Sequence, residues 1–271
     1  MRYRNALVAC VVVFGMCAAA LPAVAQGTSE PLTWVINVTA KPGKAMDLEQ
    51  AAQKYDKPVL DKLVADGTLM GYGLGRQVVG PAGQSYQYWA TAADWAAMGK
   101  VEKAFEENYK AMKPVEAKAS MDAFLGATEP EKESSGVVRH VVFQASPGGN
   151  ANYLMRHVYK VKPGKGSAAV KMYKEYQAPV YQKLLEAGVI TGYGLAVPDM
   201  HTGTNWTHTA WVMFSDMSQM DAIDKAFDEA DKARGEEANE MLQATWSGMH
   251  DMDAHWDSLM KITMRGSKAS K

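Results

Sequence analysis

Lys41-Pro42-Gly43-Lys44 and Gly71-Tyr72-Gly73-Leu74-Gly75 return later in the chain as Lys162-Pro163-Gly164-Lys165 and Gly192-Tyr193-Gly194-Leu195-Ala196. Between these landmarks residues 41–75 lie over residues 162–196 without a gap at a constant offset of 121, and 14 of the 35 paired positions are identical. Two unrelated segments of similar composition do not agree to that extent, so an internal duplication is the first reading. It decides the architecture and leaves the chemistry open.

Working outward, each copy starts on a β-prone run, Thr33 to Ala40 and Tyr153 to Val161. The Lys-Pro-Gly turn stops that run, because proline offers no ladder donor and glycine tolerates unusual backbone angles. Apolar residues then recur at three- and four-residue steps: Leu48, Ala52, Tyr55, Val59 and Leu63 in the first copy, Ala169, Tyr173, Tyr176, Val180 and Leu184 in the second. The spacing predicts an amphipathic helix with one buried face. Pro58 and Pro179 sit at matching places inside these helices, where a missing N–H forces a kink or a restart. Gly67 and Gly188 are expected to end them.

The Gly-Tyr-Gly-Leu strand follows, then a second β-prone run, Tyr86 to Thr91 and Trp206 to Phe214, each pair reading as a hairpin. Beyond the hairpins the offset becomes 122, since Lys103-Ala104-Phe105 is answered by Lys225-Ala226-Phe227. Helical stretches from about Trp95 to Leu125 and from Ser218 to Met249 are expected to break near Pro114 and Gly235. Each copy closes on an apolar run, Val137 to Phe143 and Leu259 to Met264.

The order is strand, helix, strand, strand, helix, strand, twice over, which is the split βαβ plan of an antiparallel sheet with both helices on one face. Two such sheets can bury their second faces against each other. The expected fold class is therefore α+β: two tandem ferredoxin-like βαββαβ modules, residues 26–147 and 148–271, whose antiparallel sheets pack as a pseudo-dimeric α/β barrel. The linker-like stretch Ser146-Pro147-Gly148-Gly149-Asn150 places the boundary near Pro147. With this plan reached through KPGK and GYGL, the chain resembles the dimeric α/β-barrel superfamily in a tandem two-module form. That superfamily includes the small antibiotic-biosynthesis-type monooxygenases and the chlorite dismutase-like haem proteins. The resemblance implies a cavity between sheet and helices; it does not imply a reaction, because members share a fold and little chemistry.

The first 25 residues read as a secretory signal peptide: Arg2 and Arg4, an apolar stretch from Ala6 to Ala20, and Ala23-Val24-Ala25 before Gln26. Both cysteines, Cys10 and Cys17, lie within it, so no thiol, disulfide or cysteine metal ligand is expected in the remainder. The expected location is periplasmic or secreted. No segment is apolar and long enough to span a bilayer. With 29 basic and 30 acidic residues, nothing in the charge balance points to nucleic acid.

Catalytic residues and cofactors are left unassigned, since no serine–histidine–aspartate set, paired-acid motif or HExxH sequence stands out. Gly71-Tyr72-Gly73-Leu74-Gly75 lacks the directly following helix that a phosphate loop needs. The aromatic set carries more: strand alternation puts Trp206, His208 and Ala210 on one face and Thr207, Thr209 and Trp211 on the other, while Tyr86 and Tyr88 oppose Gln87 and Trp89. Tyr72, Tyr86, Trp89, His157, Tyr193, His208 and Trp211 are the candidate lining of a site for a small apolar or aromatic molecule. Equally, these rings could simply fill the barrel. A bound haem would require a proximal histidine, for which His157 or His208 would serve. His250, Asp253 and His255 form the candidate metal set, read as a loop before the last strand. Three functions follow: a ligand-binding protein, a monooxygenase-like or haem-dependent oxidoreductase, and a structural protein with a solid barrel; a homo-oligomer formed through an exposed helix or sheet edge is compatible with each.

Overall fold

The computed structural model describes residues 30–81, 85–146, 149–200 and 205–267. The segment read as a signal peptide and the Pro147 boundary lie outside them. The first half contains β1 (Leu32–Val38), α1 (Ala45–Ala51), α2 (Lys57–Ala65), β2 (Leu69–Val79), β3 (Tyr86–Ala92), α3 (Trp95–Ala111), α4 (Pro114–Ala127) and β4 (Ser134–Ala145). The second half contains β5 (Tyr153–Val161), α5 (Gly166–Met172), α6 (Ala178–Glu186), β6 (Gly192–Pro198), β7 (His208–Phe214), α7 (Gln219–Arg234), α8 (Glu236–Met249) and β8 (His250–Ser267). The expected helix breaks fall where Pro114 starts α4 and where Gly235, at φ 89°, separates α7 from α8.

Pro58 and Pro179 act through a device the periodicity did not show. A π turn precedes each proline, Ala52–Asp56 and Tyr173–Gln177, so that the Lys57 N–H reaches the Ala52 carbonyl and the Ala178 N–H that of Tyr173. The wider turn absorbs the hydrogen bond that proline cannot donate, and the helix restarts with proline in its first turn. Gly67 and Gly188, at φ 81° and 71°, then turn the chain toward β2 and β6.

All eight strands are antiparallel and form one closed barrel in the order β1-β3-β2-β8-β5-β7-β6-β4. Cut at two places, the ring yields β4-β1-β3-β2 and β8-β5-β7-β6, the same order in both halves. The halves join at their edges, β2 with β8 and β4 with β6, which leaves no open strand edge in the ring. The helices cover the outside. Leu48, Leu60, Leu63, Leu69, Tyr72, Leu74 and Tyr86 fill the layer under the first set of helices. Tyr173, Tyr181, Leu184, Tyr193, Val212 and Phe214 fill the layer under the second. The last strand is much longer than its apolar run, because His250 to Asp257 already pairs with β5.

Candidate functional site

The opposite face of every strand looks into the barrel. There the repeated glycines acquire their reason. A Cβ on Gly73 would stand 2.1 Å from the Trp89 ring, and one on Gly194 would stand 2.7 Å from the Trp211 ring and 2.4 Å from the Val142 carbonyl oxygen. Each indole lies flat across the neighbouring strand at a place only glycine leaves vacant.

Between the two sheets remains a cavity of about 490 Å³. Its apolar wall includes Trp89, Phe143, Trp206, Trp211, Trp256 and Ile262. Its polar side is organised around His140 on β4, which is 6% exposed. The Trp211 indole N–H donates to His140 Nδ1 at 3.2 Å, and His140 Nε2 lies 2.7 Å from Thr33 Oγ1, itself 2.8 Å from Thr91 Oγ1. An indole nitrogen only donates, so Nδ1 is the acceptor and the proton sits on Nε2. Nε2–H therefore donates to Thr33, whose hydroxyl shares a hydrogen with that of Thr91. Burial pulls the His140 pKa down to about 3, so the ring stays neutral and is a poor proton acceptor near pH 7.

Arg156 on β5 also faces this space. Its Nε donates to Ser258 Oγ at 3.1 Å and its guanidinium carbon stands 5.4 Å from the Trp256 ring centre, while Nη2 is buried without a partner. Thr209 Oγ1, in the same wall, is likewise unpartnered. The strand register shows that the two halves of the wall differ. Trp89 lies opposite Val35 and Trp211 opposite Arg156; Thr33 lies opposite Thr91 and Leu154 opposite Met213. His140 faces Ala196 where Ile262 faces Gly75. The Thr33–Thr91 pair and His140 of the first half are thus answered by the apolar Leu154, Met213 and Ile262, and Val35 is answered by Arg156.

The sequence-derived candidates divide between the two faces of the sheet. Trp89 and Trp211 line the cavity; Tyr72 borders it, but its hydroxyl donates to Asp61 on α2 at 2.6 Å. Tyr86 donates outward to Glu49 at 2.8 Å and Tyr193 to Gln182 at 2.9 Å, both within the sheet–helix layers. His208 lies in such a layer too, with Nδ1 2.9 Å from Thr207 Oγ1; burial is the main cause lowering its pKa to about 4. The cavity therefore lies inside the barrel and not between sheet and helices, because tyrosines and leucines pack the outer layers while glycine, threonine and alanine keep the inner face lean. Sequence reading misses His140 and Arg156 as site residues: each is a polar residue within a largely apolar run, and alternation alone does not say which face turns inward.

The metal candidates do not assemble. His250 stacks on Trp246 at 3.8 Å and its Nδ1 bonds the Trp246 carbonyl, and Asp253 is exposed. Among the described residues, the ligand atoms of His157, His255 and Asp257 lie within 4.8 Å of one another. Asp257 Oδ1 already meets both imidazoles, at 2.7 Å and 3.1 Å.

No protein-family model matches the chain, and no curated protein does. Among solved structures it is similar to a Fusobacterium nucleatum protein carrying the name "Putative monooxygenase", with TM-score 0.59 and 11% identity over 90% of this chain and 97% of that one. A Lactobacillus acidophilus protein of the same name gives TM-score 0.59 and 10% identity over 89% and 98%. The fold is the dimeric α/β barrel. An "anthrone oxidase-like protein" shares it, with TM-score 0.53 and 12% identity over 90% and 95%.

Among the described residues, the barrel cavity offers no free imidazole to a haem iron. His140, the described histidine in the cavity, has both ring nitrogens bonded, and His157 and His208 do not line the cavity.

Proposed function

We propose that the protein binds a small, mainly aromatic molecule inside its barrel. The observation that carries this reading is the cavity of about 490 Å³, walled by indole and phenyl rings and edged by the His140–Thr33–Thr91 chain. Its size falls in the range of about 300–1,000 Å³ common for small-molecule sites, and few convergent polar groups in an apolar wall is their usual make-up. Native mass spectrometry of the gently purified protein, with solvent extraction, tests it directly. Titration with 2-naphthalenemethanol, read by quenching of tryptophan emission, provides a probe for emptied protein. Trp89→Ala and Trp211→Ala are expected to weaken that binding about tenfold or more, by loss of ring contacts of about 1.4 kcal/mol. A solid barrel would instead show no quenching and only a stability loss of about 3–5 kcal/mol in the variants.

Export belongs to the same proposal. The composition of residues 1–25 supports it, with both cysteines confined there. Protein recovered outside the cytoplasm should begin at Gln26; an intact Met1 start there overturns it.

Oxygen-dependent oxidation of the bound aromatic, without a metal, is the second reading. The names of the fold neighbours favour it. Oxygen-electrode traces with anthrone as the probe test it: uptake no faster than in buffer removes it.

A further inference from the structure

The cavity wall is unbalanced in charge. Among the described residues it carries two guanidiniums, Arg156 and Arg265, and no Asp or Glu; every Asp and Glu of the sequence lies within the described residues. Arg265 is occupied by the backbone carbonyls of Gly149 and Ala151. Arg156 is not so occupied. Ser258 takes one of its five hydrogens and Nη2 has no acceptor. Burial draws its pKa down to about 10, which leaves it charged at neutral pH. A charged fork with a buried nitrogen that has neither an acceptor nor a counter-ion is unfavourable. A two-point, charge-assisted bond to a planar carboxylate removes that penalty and matches the fork's geometry. The barrel itself does not need the charge, because Val35 takes the corresponding place in the first half.

Resting on the reading that the cavity holds a small aromatic molecule, we propose that this molecule is an aromatic carboxylate, its carboxylate received by Arg156 and its rings lying among Trp89, Phe143 and Trp211. A single unoccupied guanidinium fits one negative charge better than the two of a phosphate monoester. Thr209, whose hydroxyl lacks a partner, lies on β7 two residues from Trp211, the residue paired with Arg156, and offers a second polar contact in the same cavity.

Calorimetric titration of the protein with 2-naphthoate and with 2-naphthalenemethanol compares one ring system with and without the charge. The acid is expected to bind at least about tenfold more tightly, about 1.4 kcal/mol. Arg156→Gln should erase the difference between the two compounds, and Arg156→Lys should keep part of it, since it keeps the charge and loses the fork. Equal affinities in the unsubstituted protein overturn the carboxylate assignment and leave the cavity reading standing; failure of both compounds to bind overturns both. An Arg156→Gln protein that is less stable yet retains the full preference for the acid also overturns it, assigning Arg156 to the Ser258 and Trp256 contacts alone. Should Arg156→Gln fail to fold, the acid–alcohol comparison on the unsubstituted protein decides.

Discussion

At the scale of single residues, the glycines of the repeated Gly-Tyr-Gly-Leu strand and the tryptophans beside them are one device. Gly194→Ala drives a methyl into a backbone oxygen as well as a ring, whereas the nearest atoms that Gly73→Ala meets all belong to a ring. Both are expected to lower stability by about 1–3 kcal/mol, Gly194→Ala the more. Gly99→Ala, inside α3 with open space around it, should raise stability by up to about 1 kcal/mol. Denaturant midpoints of the three variants check the order, and a harmless Gly194→Ala would contradict the packing described. Alternation made it legible that Trp89 opposes Tyr86 and that Trp211 opposes His208. Which face turns inward was not legible, because both faces of these strands are buried and a period of two does not rank one apolar face above another. The sheet therefore separates Tyr86 and Trp89, which sequence reading alone places in one site.

At the scale of elements, the helices and strands were read nearly in place, since their periods are local properties of the chain. The π turns were not, because widening a helix by one residue leaves the apolar spacing around Pro58 almost unchanged. The turn also has an electrostatic consequence in the first half only. It ends on Asp56, where the related position holds Gln177. Burial pushes the Asp56 pKa up to about 7, opposed by the Tyr88 hydroxyl. An acid whose folded pKa is raised contributes stability below its unfolded value of 3.8 and loses it as pH rises through about 7. Asp56→Asn should therefore stabilise the protein at pH 8 by an amount on the order of 4 kcal/mol and do little at pH 4. Melting temperatures of the two proteins across that window read the difference; parallel curves would show that Asp56 ionises without penalty. The acid limb is governed oppositely. His140 and His208, held neutral by burial, contribute stability that is present above their ordinary value of 6.5 and lost as pH falls toward about 3 and 4.

At the scale of the whole molecule, the barrel depends on two seams between halves, β2 with β8 and β4 with β6. These contacts join residues as far apart as Gly71 and Ser267, and nothing in a local pattern announces them, so the offset of 121 foretold a pair of sheets without saying how their edges meet. Residues 26–147 expressed alone would expose β2 and β4 at once and are expected to run as a self-paired dimer in size-exclusion chromatography with light scattering. A stable monomer would mean that the half closes without its neighbour. The difference between the two walls of the cavity has a last effect. A hole framed by two copies of one subunit looks the same after half a turn, and a lopsided guest can sit in it either way round. Here Val35 answers Arg156 and Ile262 answers His140, so the proposed guest would have a single heading, and the part of it that reaches solvent would always be the same.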